Sequence, residues 1–185
     1  AGELKDTVYG GATAPIYTST TYDYRGPGTN LYPRYFNTPN QVALAQKMSA
    51  LEHTESSLIF GRGMAAISAV FMAFLKTGDH VVMQRAIYGG TSHFAAAEFD
   101  RVGITYTMLE HINEGTMKAA VKENTQMLYI ETPSNPLLEI TDIEVVSAFA
   151  KANSLTTAID NTFASPINQN PADYGIDLII HSATK

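Results

Sequence analysis

Apolar residues change their spacing close to position 40, and the change divides the chain. Before it, Thr, Pro, Gly and Tyr follow one another without a period. The stretch "YDYRGPGTNLYPRYFNTPN" (22–40) cannot carry a helix through Pro27, Pro33 and Pro39. Residues 1–40 therefore read as an extended arm or binding loop. After it, Val42, Ala45, Met48 and Leu51 recur at helical spacing. Residues 56–60 (SSLIF) read as a short buried strand, and a glycine turn then opens a helix over 63–76 that Gly78 closes. The remaining pattern predicts strands at 80–84, 104–108, 126–131, 155–160 and 176–181. Helices are predicted at 90–102 (stopped by Gly103), 115–122 and 142–153. Short strands alternating with helices predict an α/β layer fold with a largely parallel sheet, built by residues 41–185.

In such a sheet, ligands bind beyond the carboxyl ends of the strands. The residues just past each predicted strand are therefore where chemistry is expected. Gly61-Arg62-Gly63-Met64 comes after the first, and Tyr88-Gly89-Gly90 lies just beyond the second. Glu131-Thr132-Pro133-Ser134-Asn135-Pro136, Asp160-Asn161-Thr162 and Ser182-Ala183-Thr184-Lys185 come after later ones. Each has a bland reading: a tight turn, a packing aromatic, a helix cap, a solvated lysine. Their convergence on one rim says more than any of them alone.

Composition narrows the field. With 45% apolar residues and a formal charge of −6, the chain fits a globular fold. It lacks the basic patch that nucleic acid or an anionic membrane would require. No cysteine is present, which removes disulfides, thiolate metal sites and Cys nucleophiles. The five histidines show no i, i+4 pair, so no metal site is expected. No 18-residue apolar run or signal-peptide pattern is found, and the expectation is a soluble cytoplasmic protein without membrane partners.

One cofactor uses a phosphate cradle, a stacking aromatic, a carboxylate and a lysine together: pyridoxal 5'-phosphate (PLP). The motifs that carry this reading are "YPRYFNTPN", "GMAAIS", "YGGT", "ETPSNP", "DNTFASP" and "HSATK", in that order. Over essentially its whole length the chain resembles the Cys/Met-metabolism group of fold-type I PLP enzymes. That group includes cystathionine γ-synthase, cystathionine γ-lyase, methionine γ-lyase and O-acetylhomoserine sulfhydrylase.

The resemblance implies a three-layer αβα fold of the aspartate-aminotransferase type. It implies that Lys185 carries PLP as an internal aldimine and that Asp160 pairs with the ring nitrogen. Tyr88 would stack on the ring, and Asn135 would sit by the phenolic oxygen. Gly63, Met64, Ser182 and Thr184 would hold the phosphate, joined by Tyr32 and Arg34 from a neighbouring subunit of a homotetramer. The implied reaction is γ-replacement or γ-elimination on an amino acid derived from homoserine or homocysteine. A C-terminal small domain, with the arginine that grips the substrate carboxylate, is expected outside this chain. Three departures are visible: Arg62 where the group has a small residue, Asn37-Thr38-Pro39 where it has Asn-Pro-Thr, and Gly90 where methionine γ-lyases carry cysteine. "YGGT" also fits poorly with the bacterial cystathionine β-lyase branch.

Two readings compete. Ser182-x-x-Lys185 with Lys76-Thr77-Gly78 matches elements of a penicillin-binding serine hydrolase, but in the reverse order and without S-D-N. A non-catalytic α/β binding module is the other; a visible cofactor band would exclude it.

Overall fold

The structure is a computed structural model that describes residues 2–25 and 30–185; Pro27 lies outside the described residues. The chain forms two compact units, 1–59 and 60–185.

The first unit is organised by polar contacts. Helix α1 (Pro39–Glu52) begins at a capping box, in which Thr38 and Gln41 satisfy each other's backbone ends, with Pro39 at the first helical position. Asn40 ties extended residues to that helix start: its Oδ1 accepts from Tyr17 N at 2.8 Å, and its Nδ2 donates to Pro15 O at 2.9 Å. Asn37 Oδ1 accepts from Tyr32 N at 2.8 Å, ahead of a single 3-10 turn at Pro33–Tyr35. The predicted stripe on α1 is not buried: Val42 and Leu51 are each 37% exposed, and the helix's one buried residue is Glu52. The strand predicted at 56–60 does not form either. These residues take no regular secondary structure and pair with no strand among the described residues, and Leu58 is exposed. A run of apolar residues becomes a strand only when a partner supplies its ladder bonds.

The second unit is a five-stranded parallel sheet: β1 (His80–Gln84), β2 (Thr105–Leu109), β3 (Thr125–Glu131), β4 (Thr156–Asp160) and β5 (Leu178–Ile180), in the order β2-β1-β3-β4-β5. Helices α2 (Gly63–Phe74), α3 (Gly89–Val102), α4 (Glu114–Ala120) and α5 (Ile143–Ala152) cover it; α6 (Ser165–Asn168) is one short turn near the rim. Alternation along each strand feeds two cores. On one face Val81, Met83, Met127, Tyr129, Ala158 and Ile180 pack with Ile67 and Phe71 of α2 and Ala95 and Phe99 of α3. On the other, Val82, Leu128, Ile130 and Ile159 pack with Met117 of α4 and Val146 and Ala150 of α5. This is the expected αβα sandwich. Phe71 is fully buried, with rings of Phe99 and Tyr129 at 5.1 and 5.0 Å, and such a side chain contributes about 1.5–3 kcal/mol through burial alone.

Helix α2 ends at Phe74, short of the glycine expected to close it. Gly78 instead takes φ +93° in the turn that enters β1. Gly103 does close α3, at φ +73°. Because the strands are parallel, Lys76-Thr77-Gly78 lies before the start of β1, whereas Lys185 follows the end of β5. The two halves of the hydrolase reading sit at opposite ends of the sheet.

Candidate active site

The carboxyl ends of the strands surround a cavity of about 380 Å³. Gly63, Met64, Tyr88, Asn135, Asp160, Ser182, Thr184 and Lys185 all line it, joined by Arg62 and Glu131. Eight residues singled out in the sequence are thereby brought together within the second unit. Tyr32 and Arg34 belong to the first unit, Arg34 within the 3-10 turn and Tyr32 edge-on to Tyr35 at 5.2 Å.

At the start of α2, the Arg62 carbonyl accepts from Ala65 N and Ala66 N at 3.0 and 3.2 Å. The N–H groups of Gly63 and Met64 precede those bonds in the first turn, where a helix leaves its donors for caps or anions. Glycine is required at 63 because a Cβ there would meet Ser182 Cβ and Oγ at 2.9 Å. Ser182 is held in turn: its N–H donates to Thr162 Oγ1 at 2.9 Å, and its Oγ donates to Thr184 Oγ1 at 3.3 Å. Amides and hydroxyls thus meet at one corner, a donor set suited to phosphate oxygens.

Asp160 ends β4 almost fully buried, its Oδ1 accepting from Thr162 N at 3.0 Å. Asn161 N donates to Ile180 O at 2.9 Å, which fixes the end of β4 against that of β5. Tyr88 is the cap residue of α3, half-exposed, with its carbonyl accepting from Thr91 N at 2.9 Å. Its ring lies over the bare Cα of Gly90, where any Cβ would collide with ring atom Cε1. The glycine found in place of a cysteine therefore makes room for the tyrosine ring.

Glu131 heads a segment named in the sequence but not given a role of its own; it ends β3 opposite Asp160 in register. It is buried, and its two carboxylate oxygens accept from Tyr88 N at 2.6 Å and Asn135 N at 2.9 Å. Burial pushes its pKa up to about 7, against the pull of the Tyr88 N–H and with the nearby Asp160 charge adding to the rise. The available signal was a carboxylate closing an apolar run, Met127-Leu128-Tyr129-Ile130-Glu131.

Comparison with known proteins identifies the family. A family model described as Cys/Met metabolism PLP-dependent enzyme matches residues 1–185. A probable cystathionine γ-synthase of Herpetosiphon aurantiacus is 36% identical, covering 100% of this chain and 58% of that protein. The cystathionine β-lyase MetC of Staphylococcus haemolyticus is 39% identical, covering 99% and 47%. Among solved structures, a putative O-acetylhomoserine (thiol)-lyase from Campylobacter jejuni superposes with a TM-score of 0.91 at 26% identity, covering 100% of this chain and 48% of that one. That structure carries a pyridoxyl-lysine phosphate. The chain thus spans about half the length of the proteins it matches. A cystathionine β-lyase is thus among the proteins this chain is similar to. No helix among the described residues is long and apolar enough to cross a membrane. The chain belongs to the Cys/Met-metabolism family of PLP-dependent enzymes.

Proposed function

We propose that the protein catalyses γ-replacement or γ-elimination on an amino acid derived from homoserine or homocysteine, in the manner of cystathionine γ-synthase or γ-lyase. The observation that carries this reading is the convergence of the α2 start, Tyr88, Asn135, Asp160 and the 182–185 segment on one cavity. The residues present fit PLP: a glycine-lined corner of amides and hydroxyls for phosphate, a buried carboxylate, an aromatic ring and an amine. When bound, PLP supplies an electron sink for carbanions formed on the substrate.

The chain's own side chains do the rest. Lys185 would hold the cofactor, and its Nζ would carry protons between substrate carbons. Asp160 keeps positive charge at the ring nitrogen, and its burial strengthens that interaction. Tyr88 would cover the cofactor ring, and Asn135 would hold its phenolic oxygen. Gly63, Met64, Ser182 and Thr184 bind the phosphate. Tyr32 and Arg34 reach the same phosphate from a neighbouring subunit, where the arginine fork suits phosphate oxygens. The assembly is a homotetramer of dimers that share sites, and it works in the cytoplasm.

O-acetylhomoserine sulfhydrylase and methionine γ-lyase activities use the same residues and are the nearest alternatives. Cystathionine β-elimination is a further reading, favoured by the similarity to a cystathionine β-lyase. Product analysis separates them. The protein is incubated with O-acetyl- or O-succinylhomoserine plus cysteine or sulfide, and separately with cystathionine and methionine. Cystathionine formed from the activated homoserine, or cysteine and 2-oxobutanoate released from cystathionine, supports the proposal. Homocysteine and pyruvate as the sole products from cystathionine would replace it with β-elimination.

A further inference from the structure

We infer that Glu131 is a positioning residue of this site: its buried carboxylate fastens the Tyr88 turn to the Asn135 loop across the crevice where the strand order reverses. The inference rests on Tyr88 and Asn135 meeting the cofactor as proposed above.

The sheet's order, β2-β1-β3, places the switch point between β1 and β3, and chain segments leaving those two strands diverge there. Tyr88 stands on the segment after β1, and Asn135 on the loop after β3. Glu131 holds both. Oε2 takes the Tyr88 N–H at 2.6 Å, and Oε1 takes the Asn135 N–H at 2.9 Å. Its own N–H donates to Gln84 Oε1 at 3.3 Å, which adds the end of β1 to the same knot. Gln84 is itself braced, its Nε2 donating to Ala86 O at 3.0 Å and its Oε1 accepting from Thr141 Oγ1 at 3.1 Å.

The residue type follows from the geometry. Two backbone donors approach one side chain from two walls, so both of its outer atoms must accept. An ionised carboxylate does this; an amide offers one acceptor and one donor. No ion pair to Glu131 is present among the described residues, so these N–H groups carry the stabilisation of its charge. The charge that acts on it is Asp160, opposite on β4, while Arg62 and Lys185 line the same cavity. Tyr129 lies two residues back on the same strand face, and its hydroxyl is held neutral by burial. A proton on either Glu131 oxygen removes the charge that strengthens both bonds and leaves that oxygen a poorer acceptor, which loosens one wall. With its pKa raised to about 7, the ionised clamp is complete above neutrality and is lost as pH falls through that value.

The test is PLP binding to cofactor-stripped protein at its native length, followed by induced circular dichroism from pH 6 to 8.5. Glu131→Gln is expected to weaken PLP binding by about tenfold or more at pH 8, since one buried N–H then faces a donor. Wild-type affinity falls as pH drops through about 7 beyond any fall seen in the variant. Should Glu131→Gln not fold, hydrogen exchange in the wild type decides. After correction for intrinsic rates, peptides carrying the Tyr88 and Asn135 amides should lose protection together below about pH 7. Equal PLP affinity and the same pH profile in a folded variant would overturn the inference, as would unchanged protection at the two amides. A wild-type protein that binds no PLP would instead overturn the proposed function, leaving the clamp to be judged by exchange alone.

Discussion

Residues 60–185 bury apolar side chains on both faces of a sheet, while no apolar side chain among the described residues of 1–59 is buried. The second unit is held by packing, and its polar residues are freed to gather at one rim. The first is held by Asn and Asp side chains that bind backbone: Asp6 takes three N–H groups, Asn37 closes a local turn, and Asn40 links distant parts of the arm. It leaves Val8, Tyr9, Ile16 and Tyr24 largely exposed. A segment that buries so little of its own surface is suited to lying on something else, in keeping with the proposal that it completes a neighbour's site.

The sharpest way to break that comparison is subunit exchange. Lys185→Ala removes the amine and Arg34→Ala the phosphate fork, and each variant alone is expected to lose essentially all turnover. Mixed under conditions of verified exchange, the two should recover a measurable fraction of activity, because some hybrid sites receive both intact residues. No recovery would mean that the first unit does not serve a second chain.

Within the second unit, Asp160→Ala is expected to lower kcat/KM by about 10²- to 10⁴-fold, following the roughly 3–5 kcal/mol lost when one member of a buried charged pair is removed. Steady-state kinetics decide it. A loss under about tenfold would reduce Asp160 to a turn former.

Stability should separate the units as cleanly as burial does. Phe71→Ala removes a fully buried ring and should cost about 3–5 kcal/mol. Leu58→Ala, at a position 62% exposed, should stay within about 0.5 kcal/mol. Denaturant titration of both variants gives the contrast directly, and equal losses would contradict it.

A smaller effect, at the opposite pole of the sheet, follows from His80. It is fully buried at the start of β1, its Nδ1 and Nε2 bonded to Thr125 and Thr107 hydroxyls at 2.8 and 2.9 Å. Burial, with the Lys122 charge adding to it, lowers its pKa from 6.5 to about 4. The unfolded chain therefore binds the proton first as pH falls. Stability is complete above about 6.5 and declines toward pH 4, by on the order of 3 kcal/mol at most. Urea titrations at pH 7 and pH 5 measure it, and His80→Gln should remove this part of the pH dependence.

How much of this was legible in the sequence follows the same division. β1 and α3 lie within a residue of their predicted positions, because periodicity, Tyr88-Gly89 and Gly103 all mark their ends locally. The cavity's residues were legible because parallel strands deliver their carboxyl ends to one rim. The pattern at 56–60 misled because strand formation depends on a partner, which no local spacing records. Helix α6 has four residues, too few for a period. Glu131 stood at the head of a segment where chemistry was expected, but its role was not legible because it rests on an N–H 43 positions away, at Tyr88. The stripe on α1 gave the helix correctly, yet not the burial, since amphipathic spacing does not say what covers the face.

The most direct test of the central claim is to find where the cofactor attaches. The purified protein is reduced with borohydride and digested, and the pyridoxylated peptide is identified by mass spectrometry. One modified residue is expected, Lys185, following Ser182-Ala183-Thr184. A pyridoxyl group on Lys76, Lys122 or any other lysine, with Lys185 unmodified, would contradict it.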